Sequence, residues 1–136
     1  MTLKNFWRIT FAVILALVTW LTLTPNPDET EPSLAIARFI AELLFHDPKL
    51  SDKVAHFLAY SALGATAAFA DLRVFGRRAF AIAALALYGV FLEFLQGLGG
   101  VRDPELADAL ANSLGALFSF PAALTVEKFS ARVRLQ

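Results

Sequence analysis

The stretch FWRITFAVILALVTWLTL, residues 6–23, is apolar along almost its whole length and carries one charge, Arg8, near its start. A helix that crosses the hydrocarbon core of a bilayer needs about 20 mostly apolar residues. Further along the chain, stretches of similar length and composition occur at about 54–70, 79–96 and 107–126, and polar segments separate them. The pattern therefore predicts four transmembrane helices.

The overall composition agrees with a membrane-embedded chain. Of its 136 residues, 57% are hydrophobic and 18% are charged, whereas soluble domains average roughly 45–50% and about 25%. A small soluble domain has too little interior to bury that excess. The sequence contains no cysteine, which excludes disulfide frameworks, thiolate metal sites and a cysteine nucleophile. Twelve basic residues balance twelve acidic ones, so no positive excess favours nucleic acid. We predict one all-α membrane domain over residues 1–136, a four-helix bundle.

The basic residues indicate the orientation of this bundle. Cytoplasmic loops of membrane proteins carry an excess of Lys and Arg. Eight of the twelve lie at the termini or in the loop 71–78, and these are Lys4, Arg8, Arg73, Arg77, Arg78, Lys128, Arg132 and Arg134. We therefore expect both termini to be cytoplasmic, an N-in, C-in topology. The first apolar stretch is longer than the core of a signal peptide, about 7–15 residues, so we interpret it as an uncleaved anchor.

The first outer loop contains a short amphipathic segment, at about residues 33–46. Ser33 is a candidate N-cap, and the apolar residues that follow are spaced as on one face of a helix. They are Ile36, Phe39, Ile40, Leu43 and Leu44. The segment is too short to span a bilayer, and we predict that it lies in the outer interface. It is either a connector that rests on the membrane or a lid over a site beneath it.

Polar residues within three of the predicted spans fall at a similar depth. His56, Glu93 and Asn112 each lie about one turn inside the outer end of their span, on the order of 5 Å. Ionisable residues in spans usually face the bundle or a wet cavity, because exposure to lipid is costly. We therefore predict an outward-facing polar pocket. Structural roles remain open for single members: Asp52 and Asp108 are also suitable N-caps, and Tyr60 could belong to an aromatic belt.

Three short motifs resemble those of VanZ-like membrane proteins. The first is DKVAHFLAY at residues 52–60, followed by Leu63-Gly64, and the second is EFLQ at 93–96. The third is formed by Arg102, Glu105, Asp108, Asn112 and Gly115. The resemblance extends over about residues 52–118. A proline common before the arginine in that family is replaced here by Gly99-Gly100-Val101.

The resemblance implies a location in the bacterial inner membrane and a role at the cell envelope. The family takes its name from a protein that lowers susceptibility to the glycopeptide teicoplanin. The family's characteristic positions map here onto Asp52, Lys53, His56, Tyr60, Glu93, Gln96, Arg102, Asp108, Asn112 and Gly115. The resemblance names no reaction, cofactor or oligomeric state.

These residues support two classes of function. In the first, the pocket binds or modifies an envelope lipid, a lipid-linked cell-wall intermediate or the target of a glycopeptide antibiotic. The catalytic candidates are then His56, Glu93 and Asp108, because an imidazole and carboxylates can act as general acid and base. The ligand-binding candidates are Asp52, Lys53, Tyr60, Gln96, Arg102, Glu105 and Asn112. In the second class, the same pocket belongs to a non-catalytic accessory module.

The sequence gives weaker support to two further functions, an exporter and a metal-binding protein. A small dimeric exporter is disfavoured, because the coupling sites of transporters lie near the bilayer midplane, whereas Glu93 is expected near the outer surface. Oxygen and imidazole ligands also suit a divalent metal, and Asp52, His56, Glu93 and Asp108 provide such groups. Their spacing is not diagnostic, and the sequence alone therefore assigns no metal ligand.

Overall fold

The computed structural model describes the backbone of residues 1–24, 27–100 and 105–133. This part of the chain is helical and contains no β-strand; its one extended feature is a bridge between Val74 and Arg77. The elements are α1 Leu3–Leu23, α2 Pro27–Phe45, a 3-10 turn Pro48–Leu50, α3 Ser51–Phe69, α4 Arg78–Gly99 and α5 Leu106–Val133. The all-α prediction is confirmed.

Three of the helices are long and apolar enough to cross a bilayer. They are α1, α4 and the part of α5 from Leu106 to Val126. They coincide with three of the four predicted spans. Helix α3 occupies the position of the fourth predicted span but is not among these three helices. Polar residues near its start, such as Asp52, Lys53 and His56, make it less apolar. That α3 crosses the membrane, and that both termini are cytoplasmic, remain predictions.

Helix α3 is the centre of the bundle. It contacts α1, α2, α4 and α5, and its largest contact is with α5. Seven of its residues are buried, including Tyr60, Leu63 and Gly64, whereas Val18 is the one buried residue of α1. A helix surrounded by other helices presents little surface to lipid. This position explains why α3 tolerates polar residues that a lipid-facing span would not.

Glycines set the close contact between α3 and α5. A Cβ atom placed on Gly115 would lie 3.0 Å from the backbone nitrogen of Ser61 and closer still to the carbonyl oxygen of Phe57. A Cβ atom on Gly64 would lie 2.9 Å from the carbonyl oxygen of Ala116. Small residues let helix backbones approach in this way. The polar residues of the two helices are thereby brought within hydrogen-bonding distance.

The amphipathic segment is longer than predicted. Helix α2 begins at Pro27, a residue favoured in the first turn because it has no N–H to leave unpaired. Ser33 therefore lies inside the helix, and its assignment as the N-cap was wrong. Small residues, Ala37 and Ala41, pack against Val54 of the bundle. Large apolar side chains on the same helix are exposed, among them Ile36, Phe39, Leu43 and Leu44. The interfacial location of α2 remains a prediction.

An ion cluster holds the end of the bundle that contains the turn between α3 and α4. The Oδ1 atom of Asp71 accepts hydrogen bonds from Arg78 at 2.8 Å and Arg73 at 3.2 Å, and Oδ2 accepts one from Lys4 of α1 at 3.3 Å. Hydrogen bonds from Arg78, and then from Arg73 and Lys4, hold the pKa of Asp71 well below its ordinary value. The cluster joins α1 to the turn at the end predicted to be cytoplasmic.

Candidate functional site

The opposite end of the bundle contains most of its buried polar side chains. There α3 begins, α4 ends and α5 begins. The α4 C-cap is Gly100 in the left-handed region, at φ 62°, and its N–H bonds to the carbonyls of Gln96 and Gly97. Such a cap ends the helix and satisfies its last carbonyl groups. The buried polar residues at this end are Glu93, Gln96, Asp108 and Asn112.

Asn112 connects two of the predicted site residues. Its Oδ1 atom lies 3.0 Å from Nδ1 of His56, and its Nδ2 atom donates to Oε1 of Glu93 at 3.4 Å. In this arrangement the amide nitrogen faces Glu93 and the amide oxygen faces His56. A hydrogen on Nδ1 of His56 would be donated to that amide oxygen. The structure thus brings together the three polar residues that the sequence placed at one depth.

The second ring nitrogen of His56 faces a different carboxylate. Its Nε2 atom lies 3.9 Å from Oδ2 of Asp108, a residue that is 1% exposed. The other oxygen of Asp108, Oδ1, lies 3.1 Å from Nζ of Lys53. Each side of the Asp108 carboxylate therefore has its own neighbour: an ammonium group on one side and an imidazole nitrogen on the other.

Lys53 is surrounded by acidic groups. In addition to Asp108, its ammonium contacts Glu105 and lies 3.4 Å from Oδ2 of Asp52. Burial lowers the pKa of Lys53, but its bonds to Glu105 and Asp108 outweigh that effect, so its pKa is raised above the ordinary value. Lys53 is therefore a permanently charged centre that joins the starts of α3 and α5. Its positive charge is already used by protein carboxylates, and this limits its capacity to hold an anionic ligand.

Tyr60 lies deeper in the bundle, one turn beyond His56 on α3. It is 1% exposed, and its hydroxyl has no hydrogen-bond partner among the described residues. A Cβ atom placed on Gly89 would lie 3.1 Å from Cζ of Tyr60 and 2.8 Å from Cβ of Asn112. Gly89 thus provides the space in which Tyr60 and Asn112 meet. A buried hydroxyl without a partner is costly, which marks this position as one where a ligand or water is expected.

Two of the predicted residues do not join this group in the described structure. The amide nitrogen of Gln96 donates to the carbonyl oxygen of Thr22, so Gln96 links α4 to the end of α1. Arg102 lies in 101–104, outside the described residues. The other eight predicted residues lie at or next to the meeting point of α3, α4 and α5.

Sequence reasoning missed a groove on the side of the bundle. The groove has a volume of about 700 Å³ and lies between α1 and Tyr88 of α4. At the wall of the groove, the hydroxyl of Tyr88 is hydrogen-bonded to the hydroxyl of Thr19, 2.5 Å away. The hydropathy of α1 gives no sign of it, because lipid-facing and groove-facing residues are equally apolar. Its lining is formed by Ala12, Leu15, Ala16, Thr19, Trp20, Leu23, Thr24 and Tyr88.

The geometry provides two kinds of chemistry. One nitrogen of His56 and one oxygen from each of Glu93 and Asp108 lie within 4.8 Å of one another. Two carboxylates and an imidazole at these separations can exchange protons with a ligand or hold a cation. Each of the three side chains comes from a different helix, so their relative positions depend on the packing of the whole bundle.

Comparison with known proteins agrees with the motifs. The family model described as VanZ/LLP1 matches residues 9–126 and so includes all three motifs, most of α1, the whole of α2, α3 and α4, and α5 as far as residue 126. No curated protein and no solved structure gives a significant match to the chain. The resemblance to VanZ-like proteins is confirmed: the chain belongs to the VanZ/LLP1 family.

Proposed function

We propose that this VanZ-like membrane protein resides in the bacterial inner membrane, with both termini in the cytoplasm, and binds an envelope lipid or lipid-linked cell-wall intermediate. The headgroup is bound where α3, α4 and α5 meet, on the outer side. The basic cluster around Asp71 supports this orientation, because it lies at the opposite end of the bundle and cytoplasmic ends are rich in Lys and Arg.

The observation that carries the proposal is the connected group of His56, Asn112, Glu93 and Asp108. Buried charged groups are expensive, and apolar residues of similar size often stabilise a fold as well or better. A bundle that needed only stability would be better served by leucine at these positions. Three helices that each contribute a buried polar residue to one place therefore favour a functional role for that place.

The groove between α1 and Tyr88 favours a lipid ligand over a soluble one. It is mostly apolar and runs along α1 toward Thr24, at the end of the bundle where Gln96 bonds to Thr22. Glu93 is one turn from Gln96 on the same helix. An acyl chain in the groove would thus bring its headgroup close to the polar group. We propose that the headgroup contacts Glu105 and the His56 group, with His56, Glu93 and Asp108 as the reactive centre if the ligand is turned over.

Lipids that co-purify with the protein test this proposal. Full-length wild type and Glu93→Gln are purified in mild detergent, and their bound lipids are identified by mass spectrometry. Glu42→Gln is the matched control, because Glu42 is an exposed glutamate of α2. We expect wild type and the control to retain the same minor lipid and Glu93→Gln to retain a different amount of it. A modified form of the lipid that disappears in Glu93→Gln would indicate an enzyme, and an unmodified lipid would indicate a binding module. Bulk membrane lipid on all three proteins would refute the proposal.

A further inference from the structure

We propose that His56, Glu93 and Asp108 bind a divalent metal ion between α3, α4 and α5. This site goes beyond the proposed binding of a lipid headgroup and does not depend on it, because an ion can be measured on the purified protein without any lipid substrate. The proposal rests on the separation of the three side chains, on the hydrogen on His56 and on the charge of the surrounding residues.

The separation of the three side chains suits a metal ion. Nitrogen and oxygen ligands lie about 2.0–2.2 Å from a zinc-sized ion, so two ligands of one ion are about 3–4 Å apart. Nε2 of His56 and Oδ2 of Asp108 are 3.9 Å apart. Oε1 of Glu93 lies 3.7 Å from the other ring nitrogen, Nδ1. One ring nitrogen and one oxygen from each carboxylate all lie within 4.8 Å of one another. Small side-chain rotations are enough to bring all three atoms to an ion.

The bond to Asn112 determines which nitrogen of His56 is available. In the tautomer whose Nδ1 hydrogen is donated to Oδ1 of Asn112, 3.0 Å away, Nε2 carries a lone pair. That lone pair and the carboxylate oxygen of Asp108 are both acceptors, and they face each other inside the bundle. Two facing acceptors repel unless a positive charge lies between them. Metal-bound histidines commonly have their second nitrogen fixed by a hydrogen bond in this way.

A metal ion fits this gap better than a shared proton. A charge-assisted hydrogen bond between nitrogen and a carboxylate oxygen is about 2.7–2.9 Å long. The observed 3.9 Å between Nε2 and Oδ2 is too long for such a bond but lies within the separation of about 3–4 Å expected for two ligands of one ion. Asp108 can serve both neighbours, because its Oδ1 atom faces Lys53 while Oδ2 faces His56.

The charge of the site also favours a divalent cation. Three carboxylates, of Asp52, Glu105 and Asp108, surround the ammonium of Lys53, and a fourth, that of Glu93, lies 3.7 Å from Nδ1 of His56. When ionised, these four carboxylates outnumber the one ammonium of Lys53 among the described residues. A divalent ion reduces this excess of negative charge. The ion would also provide a positive charge for a headgroup phosphate. Lys53 does not provide it, because its ammonium is already surrounded by carboxylates.

The buried hydroxyl of Tyr60 is an independent observation that points to a ligand. This hydroxyl has no partner among the described residues, and the tyrosine ring packs beside Asn112 next to Gly89. An ion with three protein ligands keeps at least one position for water. A water molecule on the ion would give the Tyr60 hydroxyl a partner. One imidazole with two carboxylates suits first-row ions such as Mn²⁺, Fe²⁺ or Zn²⁺ rather than soft Cu⁺.

Metal content of the purified protein tests the site. The full-length chain is prepared with a tag that contains no histidine, stripped with a chelator, and titrated with Mn²⁺ or Zn²⁺ in detergent. We expect one ion per chain. His56→Asn and Asp108→Asn should weaken binding at least about tenfold, since even outer-shell changes cost about 10–100-fold. His46→Asn is the matched control, because His46 is exposed and in the left-handed region, at φ 56°, which asparagine tolerates.

A second measurement keeps the test decisive if a variant fails to fold. Wild-type protein alone should show a higher Tm with bound ion than after chelation, and Co²⁺ should give visible absorption bands of an oxygen and nitrogen site. Absence of both effects in folded wild type would overturn the proposal. So would an ion bound as tightly by folded His56→Asn as by wild type. Lipid retention measured on the same samples is a separate readout, so a failure of this site and a failure of headgroup binding can be told apart.

Discussion

The Oδ1 atom of Asn112 lies 3.0 Å from Nδ1 of His56, across the contact between α3 and α5. Because Nδ2 of the same amide donates to Glu93 on α4, one side chain holds both the imidazole ring and the Glu93 carboxylate. Asn112 thus acts on the site through its neighbours: it positions His56 and Glu93.

Removing this amide should destabilise the bundle and disorder the site. Asn112→Leu leaves the Nδ1 hydrogen of His56 without its acceptor, and a buried unpaired donor costs about 1–3 kcal/mol. We expect the free energy of unfolding in detergent to fall by that amount. Ser113→Ala is the control, because the Ser113 hydroxyl donates to the carbonyl oxygen of Ala109 within the same helix; it should change stability little. Equal stability of Asn112→Leu and wild type would contradict this role.

Gly115 should tolerate no side chain. An added Cβ would meet the backbone of Phe57 and Ser61 on α3, and backbone cannot move aside as the end of a side chain can. We expect Gly115→Ala to separate α3 from α5 and to cost about 1–3 kcal/mol, as overpacking typically does. Thermal unfolding in detergent measures the loss. Leu114→Ala, at a neighbouring exposed position, is the comparison and should have little effect; the same Tm for both variants would refute the close contact.

The sequence was sufficient for most of the helices and for the grouping of His56, Glu93 and Asn112. Hydropathy located α1, α4 and α5, because these helices have faces that are left uncovered by the bundle. It could not distinguish α3 as the central helix, since a hydropathy average does not record which residues contact other helices. The predicted depth of His56, Glu93 and Asn112 followed from the rise per residue of a helix, and the structure brings these three side chains into contact.

Other parts of the site depend on rotation and packing, which the sequence does not give. Gln96 lies three residues from Glu93 and was expected beside it, but its amide reaches Thr22 of α1. The start of α2 was placed at Ser33 because serine is a good N-cap, while Pro27 begins the helix earlier. Carboxylates around Lys53 were visible as residue types, yet their convergence on one ammonium required the contact of α3 with α5.

The ion cluster at Asp71 should make stability depend on pH in acid solution. Its folded-state pKa is lowered by Arg78, Arg73 and Lys4, so its contribution is present above the ordinary pKa of 3.8 and is lost as the pH falls toward the folded-state value. We expect Asp71→Asn to lower the free energy of unfolding by about 1 kcal/mol near pH 7, a modest value because the cluster is partly exposed. The difference from wild type should shrink below about pH 4. An unchanged difference between pH 7 and pH 3 would contradict this assignment.

Single cysteines can determine whether α3 crosses the membrane. The wild-type chain has no cysteine, so a thiol reagent that cannot pass the membrane reports only on an introduced residue. Lys49 precedes α3 and Phe75 follows it, and both are exposed. With both termini cytoplasmic, Lys49→Cys should react on spheroplasts, whereas Phe75→Cys should react only after the membrane is opened, because it lies in the basic turn beside Arg73 and Arg77. Wild type is the unlabelled control. Labelling of both cysteines from the same side would mean that α3 does not cross, and the reverse pattern would place the His56 group on the cytoplasmic side.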